Sequence, residues 1–252
     1  MSELRVKLAG RGCLAGTFVK TPAIEVVEVL AQSGLDFLCL DSEHAPFDRA
    51  RLDTCLAIGR ALGVQMLVRV AEAAPREILQ ALDAGAHGIV VPHVDSAEVA
   101  RAVARAARFG HGGRGYAGST RFAGFGSQTM PQVLALGAEP LVIVQIEAPE
   151  AVEACEEIAA VEGIDGLFLG PADLSVAHGR SDQAGPELAA ARARVGAAAQ
   201  AAGKTAMTFV ADPAQAEPLL ADGYRVFFVA SEHAWMRAGA AAAARGVHAL
   251  GG

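Results

Sequence analysis

Aromatic side chains are scarce in this chain, at 5% of 252 residues with a single tryptophan, and cysteine occurs only four times. Cys13, Cys39, Cys55 and Cys155 lie far apart and form no CxxC pair. That spacing fits reduced, mostly buried thiols better than a disulfide framework or a zinc site. No apolar stretch approaches ~18 uninterrupted residues, so no membrane span is expected. The first residues, MSELRVKLAGRG, carry charge and glycine but no apolar signal core, and a cytoplasmic location is the expectation. Charged residues amount to 19% with a net charge of -7, and the basic ones are scattered. Arg101, Arg105 and Arg108 line up on one helical face, a spacing that a solvated surface explains. Nucleic acid is therefore not an expected partner.

What the chain has in quantity is apolar residues, 52% of the total, enough to bury a large core. Its length suits one α/β barrel, residues 1–252 forming a single domain. Short apolar runs recur at 13–20, 36–41, 65–70, 88–93, 141–147, 166–170, 205–210 and 225–230. They are nearly continuous in apolar residues, as parallel strands covered on both faces should be. Between them lie helical patterns at 23–33, 48–62, 75–84, 96–109, 150–160, 186–202 and 213–222, with an eighth at 232–248 after the last strand. Gly34, Gly63, Gly85, Gly163, Gly203 and Gly223 stand where helices turn back into strands and a left-handed residue is wanted. Eight strands alternating with eight helices predict a closed (β/α)8 TIM barrel.

One stretch, 110–130, is too glycine-rich for a helix and too long for a routine connection, and reads as a functional loop or lid, or as a mobile one. Gly113-Arg-Gly115-Tyr-Ala-Gly118 inside it matches GxGxxG. A dinucleotide site needs those glycines after a strand and opening a helix; here they follow a helix, so that reading is rejected.

Chemistry in such a barrel gathers at the C-terminal strand ends. Polar residues collect there: Asp41 followed by Ser42-Glu43-His44, Arg69, Gln145 and Glu147, and the loop Gly170-Pro-Ala172-Asp173-Leu-Ser175. Glu147 and Asp173 are hard carboxylates suited to Mg²⁺ or Mn²⁺, leaving positions open for a chelating substrate. The plainer alternative makes them a helix-entry acid and an N-cap. His44 is the best proton-transfer group, with Asp41 or Asp83 to fix its tautomer; as a lone loop histidine it would be incidental. His93 ends the fourth strand and is left unassigned. Arg69 interrupts an apolar strand, so its guanidinium must be paired or solvated. It serves either to stabilise an enolate oxygen or as a structural ion pair with Asp83 or Asp41. The backbone of Gly170-Pro-Ala172-Asp173 offers N–H groups to a substrate carboxylate. Lysine is nearly absent from the strand set: Lys204 precedes its strand, and Lys20, at the end of the first, is the one candidate for an imine route.

Asp41-Ser-Glu43-His44-Ala-Pro46, Arg69, Leu82-Asp83-Ala-Gly85, Gln145-Ile-Glu147 and Gly170-Pro-Ala-Asp173-Leu-Ser175 occur in order, and together they resemble the HpcH/HpaI family of metal-dependent (class II) pyruvate aldolases, from about Gly12 to Ala240. The resemblance implies a barrel of the phosphoenolpyruvate/pyruvate-binding type, a homohexamer with the last helix exchanged between subunits, and a divalent metal (Mg²⁺, Mn²⁺ or Co²⁺) on Glu147 and Asp173. It implies that Gln145 and the backbone at Gly170, Ala172 and Asp173 hold pyruvate, that Arg69 stabilises the enolate, and that His44 is the base, supported by Asp83 and Asp41. The reaction implied joins pyruvate to an aldehyde or cleaves a 4-hydroxy-2-oxo acid. Alternatives are a lyase or decarboxylase acting on oxaloacetate or an acyl-CoA, with Arg114 and Arg121 as the basic surface a CoA would need, and a non-catalytic 2-oxo-acid-binding barrel. Departures from the family pattern are Phe18, where some relatives carry tryptophan, the glycine-rich 110–126 loop, and the Ala230-Ser-Glu232-His233 exit.

Overall fold

A computed structural model describes residues 3–10 and 12–251. In chain order its elements are α1 (Glu3–Ala9), β1 (Leu14–Val19), α2 (Ile24–Leu30), β2 (Phe37–Asp41), α3 (Arg49–Ala61), β3 (Gln65–Arg69), α4 (Pro75–Asp83), β4 (Gly88–Val91) and α5 (Ala97–Ala106). There follow α6 (Met130–Leu136), β5 (Leu141–Ile146), α7 (Pro149–Glu153), α8 (Cys155–Ala159), β6 (Gly166–Leu169), α9 (Pro171–Ala177), α10 (Pro186–Ala201), β7 (Thr205–Val210), β8 (Tyr224–Ser231) and α11 (Glu232–His248). The strands pair in sequence order, all parallel, and β8 closes on β1. This is the expected closed (β/α)8 barrel.

Alternation along the strands explains why the runs are apolar throughout. Leu38, Leu40, Met66, Val68, Val142, Val144 and Ile146 face the helix ring, while Phe37, Cys39, Leu67, Ile143, Phe168 and Phe228 fill the barrel interior. Successive residues point to opposite faces, and both faces are covered. Space inside is tight: a Cβ on Gly16 would run into the Phe37 ring. The six glycines expected at helix-to-strand turns all adopt the left-handed region, with φ between 66° and 95°. The inward set that ends in Phe37 and Cys39 continues to Asp41, Leu67 continues to Arg69, and Ile143 to Gln145 and Glu147. Polar residues thus form the top layer of an otherwise apolar interior, at the C-terminal mouth.

Several expectations are corrected. Residues 213–222 form two short 3-10 turns, Pro213–Gln215 and Glu217–Leu220, because Pro218 removes an N–H that a continuous helix would use. The 150–160 helix divides into α7 and α8. Helices α1 and α6, seven residues each, are too short for a helical periodicity to announce them. The 110–130 loop follows α5 and lies along the outside of α3 and α4, where Arg121 pairs with Asp53 at 2.8 Å and the Phe122 N–H donates to the Asp83 carbonyl. It clads the barrel flank and does not cover this chain's mouth. No described helix is long and apolar enough to cross a membrane. Cys39, Cys55 and Cys155 are buried, Cys13 is exposed, and all are free thiols.

Candidate active site

Strand register places the first pair. Asp41 on β2 stands opposite Arg69 on β3, both facing inward. The fork is bidentate, with Arg69 Nε donating to Asp41 Oδ1 at 3.0 Å and Nη2 to Oδ2 at 2.7 Å. Lys20, just beyond β1, adds a second cation at 2.6 Å from Asp41 Oδ2. Burial pushes the Asp41 carboxyl up, but Arg69 and Lys20 outweigh it and hold the pKa at about 2. Beneath Arg69 lies Phe18, whose ring centroid is 4.4 Å from the guanidinium carbon. Phe18 in turn stacks with Phe168 and Phe228, so an aromatic floor supports the arginine.

From Arg69 the network crosses the mouth. Arg69 Nη1 lies 3.1 Å from Glu43 Oε2 and 3.5 Å from Gln145 Oε1. Gln145 Nε2 donates to Glu147 Oε2 at 2.6 Å, and Glu147 Oε1 accepts the His93 N–H at 2.8 Å. Gly170 closes against this carboxylate; a Cβ there would sit 3.0 Å from Glu147 Oε2, so only glycine permits the approach. Ala172 and Asp173 occupy the first turn of α9, whose N-cap is Gly170, and both are exposed. At the opposite side of the mouth, buried Glu232 accepts the N–H groups of Lys20 at 2.9 Å and of Thr21 at 2.6 Å, fixing the β1 exit.

The structure therefore brings together Asp41, Arg69, Gln145 and Glu147, as their strand positions foretold. His44 is at the same rim with its side chain exposed, but Asp41 meets it through the His44 backbone N–H at 3.1 Å and leaves the imidazole alone; Glu43 Oε2 is 3.8 Å from His44 Nε2. Asp83 does not support His44 within this chain. It closes α4, which runs away from the mouth, and its carboxylate is taken by Arg114, Nε donating at 3.1 Å. Arg114 is itself buried between Phe109 and Phe122, and Arg121 is paired with Asp53. Neither arginine supplies the basic surface at the mouth that an acyl-CoA reading called for.

Two residues were missed. Glu43, named only as part of its motif, and His93, unassigned, gather with Glu147 so that one ligating atom from each lies within 4.8 Å of the others. Histidine at the end of an apolar strand was the available signal for His93. Asp173, in the exposed first turn of α9, stands outside this group. Burial, with Glu147 and Asp41 near, outweighs Arg69 and His44 and pushes the Glu43 carboxyl up. Its side chain is 9% exposed, and Oε2 makes no hydrogen bond despite its closeness to Arg69. Two facing carboxylates with an unfilled oxygen valence and an adjacent imidazole suit a divalent cation.

Comparison with known proteins identifies relatives of the chain. Residues 14–238 match the HpcH/HpaI aldolase/citrate lyase family. A hydroxypyruvate/pyruvate aldolase of Paraburkholderia phytofirmans is 34% identical over 243 residues, 93% of either chain. A 2-keto-3-deoxy-L-rhamnonate aldolase of Salmonella gallinarum is 38% identical over 212 residues, covering 82% of this chain and 79% of that one. Among solved structures, an HpcH/HpaI aldolase/citrate lyase family protein from Burkholderia cenocepacia superimposes with a TM-score of 0.93 at 33% identity, covering 98% of this chain and all of the other.

Proposed function

The chain belongs to the HpcH/HpaI aldolase/citrate lyase family of carbon–carbon lyases, and we propose that it is a pyruvate aldolase, joining pyruvate to an aldehyde and cleaving the resulting 4-hydroxy-2-oxo acid. The observation that carries this reading is the unbroken polar layer Arg69–Gln145–Glu147 at the mouth, linked at 3.5 and 2.6 Å over an apolar interior.

Gln145 and the N–H groups of Ala172 and Asp173, free of helix partners in the first turn of α9, hold the 2-oxo acid. Arg69 donates to the keto oxygen as negative charge develops there. The guanidinium is already fixed by Asp41 and Phe18, so no reorganisation is needed when the charge appears. His44 takes a proton from the pyruvate methyl group, and that carbon attacks the aldehyde carbon. The new alkoxide recovers a proton, giving a hydroxyl at C4; cleavage runs the same transfers backwards. Glu147 would hold a divalent cation, Mg²⁺, Mn²⁺ or Co²⁺, with Asp173 as the second carboxylate that the resemblance implies and Glu43 alongside; when bound, the cation polarises the keto carbonyl. Lys20 takes no part in an imine, its Nζ being committed to Asp41.

The test is deuterium exchange into the pyruvate methyl group, followed by NMR in heavy water. Exchange should vanish in EDTA-treated protein and return with Mg²⁺, Mn²⁺ or Co²⁺. Exchange that persists in metal-stripped protein, or a borohydride-trapped pyruvate adduct on Lys20, would overturn the reading. The homo-oligomer expected from the resemblance is also proposed: α11, 17 residues long, buries only Glu232 and leaves Met236 and Val247 exposed, which favours burial against another copy.

A further inference from the structure

The aldolase reading makes no demand on His93, yet the barrel bends its backbone to present it. His93 follows β4 with φ of 53°, a left-handed conformation that few non-glycine residues adopt and that strains the chain. Its own N–H is bonded to Glu147 Oε1, and its ring Nδ1 stands 3.3 Å from that same oxygen. The far nitrogen, Nε2, lies 3.7 Å from Glu43 Oε1. Donor atoms bound side by side to one cation at about 2.1 Å are separated by roughly 3 to 3.4 Å. Nδ1 and Glu147 Oε1 are spaced as neighbours in a single coordination shell. A carboxylate near the second ring nitrogen is the arrangement that orients a ligating histidine and sets its tautomer.

Glu43 supplies an independent observation. Its side chain is nine-tenths buried, and Oε2 makes no hydrogen bond. Around the ring, one oxygen of Glu43 and one of Glu147 lie within 4.8 Å of each other. Arg69, 3.1 Å from Glu43 Oε2, offsets part of the repulsion between these like charges, and a cation between them would offset the rest.

Resting on the metal-assisted aldolase reading, we propose that His93 enters the coordination shell beside Glu147 through Nδ1, with Glu43 receiving Nε2–H. The site then holds an imidazole nitrogen besides its carboxylates. An all-oxygen shell suits Mg²⁺, whereas imidazole favours later first-row ions. His93 is thus the residue that tilts metal preference from Mg²⁺ toward Co²⁺.

The experiment loads the metal-stripped full chain with Mn²⁺ and records electron spin-echo modulation, alongside calorimetric competition of Co²⁺ with Mg²⁺. The native protein should show modulation from one imidazole nitrogen. His93→Asn, which tolerates the left-handed backbone, should still bind Mn²⁺, lose the modulation, and lower the Co²⁺-to-Mg²⁺ affinity ratio about tenfold. If His93→Asn does not fold, His93→Gly serves, glycine being at ease at positive φ. Mn²⁺ bound by the native protein without nitrogen modulation overturns the role of His93 and leaves the aldolase reading standing. Modulation that survives in the variant assigns the nitrogen to another histidine and also overturns it. A native protein that binds no Mn²⁺ overturns both.

Discussion

At the N-terminal end of the barrel, Asp165 takes hydrogen bonds from Arg5 at 2.7 and 2.9 Å and from the Val142 N–H at 2.8 Å. At the mouth, Glu43 is the more deeply buried acid, yet its Oε2 accepts none. The contrast extends to the neighbours. Arg5 also donates to the Glu139 and Pro140 carbonyls, Lys7 reaches Asp36 at 3.0 Å, and Leu4 caps the apolar interior, so α1 seals its end with charge paired to charge. The mouth has a similar supply of ions, but Asp41 and Glu43 share Arg69, and Glu43 Oε2, 3.1 Å from Arg69 Nη1, is left without a hydrogen bond. A buried carboxylate with an open valence costs stability, and a fold retains one where a ligand completes it. One end of this barrel is built for stability and the other for chemistry.

The largest expected effect tests the mouth. Arg69→Lys keeps a cation beside Asp41 but loses the planar fork that spans Asp41, Glu43 and Gln145. Pyruvate methyl exchange should fall about 10²-fold, the typical loss when one preorganised donor is removed from a developing oxyanion. The thermal midpoint should move little, because Asp41 stays neutralised. Exchange at the native rate would show that the guanidinium serves structure alone and would erase the contrast between the ends. Next comes the reciprocal change. Asp165→Ala strips Arg5 of its carboxylate and unpins α1, and should cost about 3 kcal/mol in urea unfolding while exchange per folded molecule is unchanged. A drop in exchange of the same order as in Arg69→Lys would mean that both ends serve the reaction.

How much of this was legible in the sequence follows from the range of each interaction. The barrel was, because apolar runs and turn glycines are local signals, repeated eight and six times along the chain. The Asp41–Arg69–Gln145–Glu147 layer was too, since parallel pairing sets strand ends side by side and period-2 alternation points them inward. That Asp83 stands away from His44 within this chain was not legible, because its partner, Arg114, comes from a loop whose path no local pattern encodes, and because a nine-residue helix carries its last residue far from the strand it follows. Glu232 gripping the β1 exit from the far end of the chain depends on closure between β8 and β1, while Lys20 meeting Asp41 follows from the pairing of β1 with β2. His93 turns on a single backbone angle, which side-chain identity does not reveal.

His87 offers the smallest effect and a test of the quiet end. It sits at the N-terminal side, where Nδ1 accepts the Met66 N–H at 2.9 Å and Nε2 lies 3.1 Å from Arg60 Nη1. Burial, with the Arg60 charge beside it, lowers its pKa to about 4; Glu3 pulls weakly the other way. Only the neutral ring can accept from Met66, so the native state resists protonation while the unfolded chain takes up a proton near the ordinary histidine value of about 6.5. The stability contributed is whole above pH 6.5 and is lost progressively as pH falls toward 4. Between pH 7 and 5 the loss should be on the order of 1 kcal/mol, allowing for partial solvent screening. His87→Asn, which keeps an acceptor near Nδ1 but does not titrate, should flatten that part of the stability curve. Native and variant curves that run parallel from pH 7 to 5 would show that the ring is protonated without strain, and that this end of the barrel is less tightly closed than its hydrogen bonds imply.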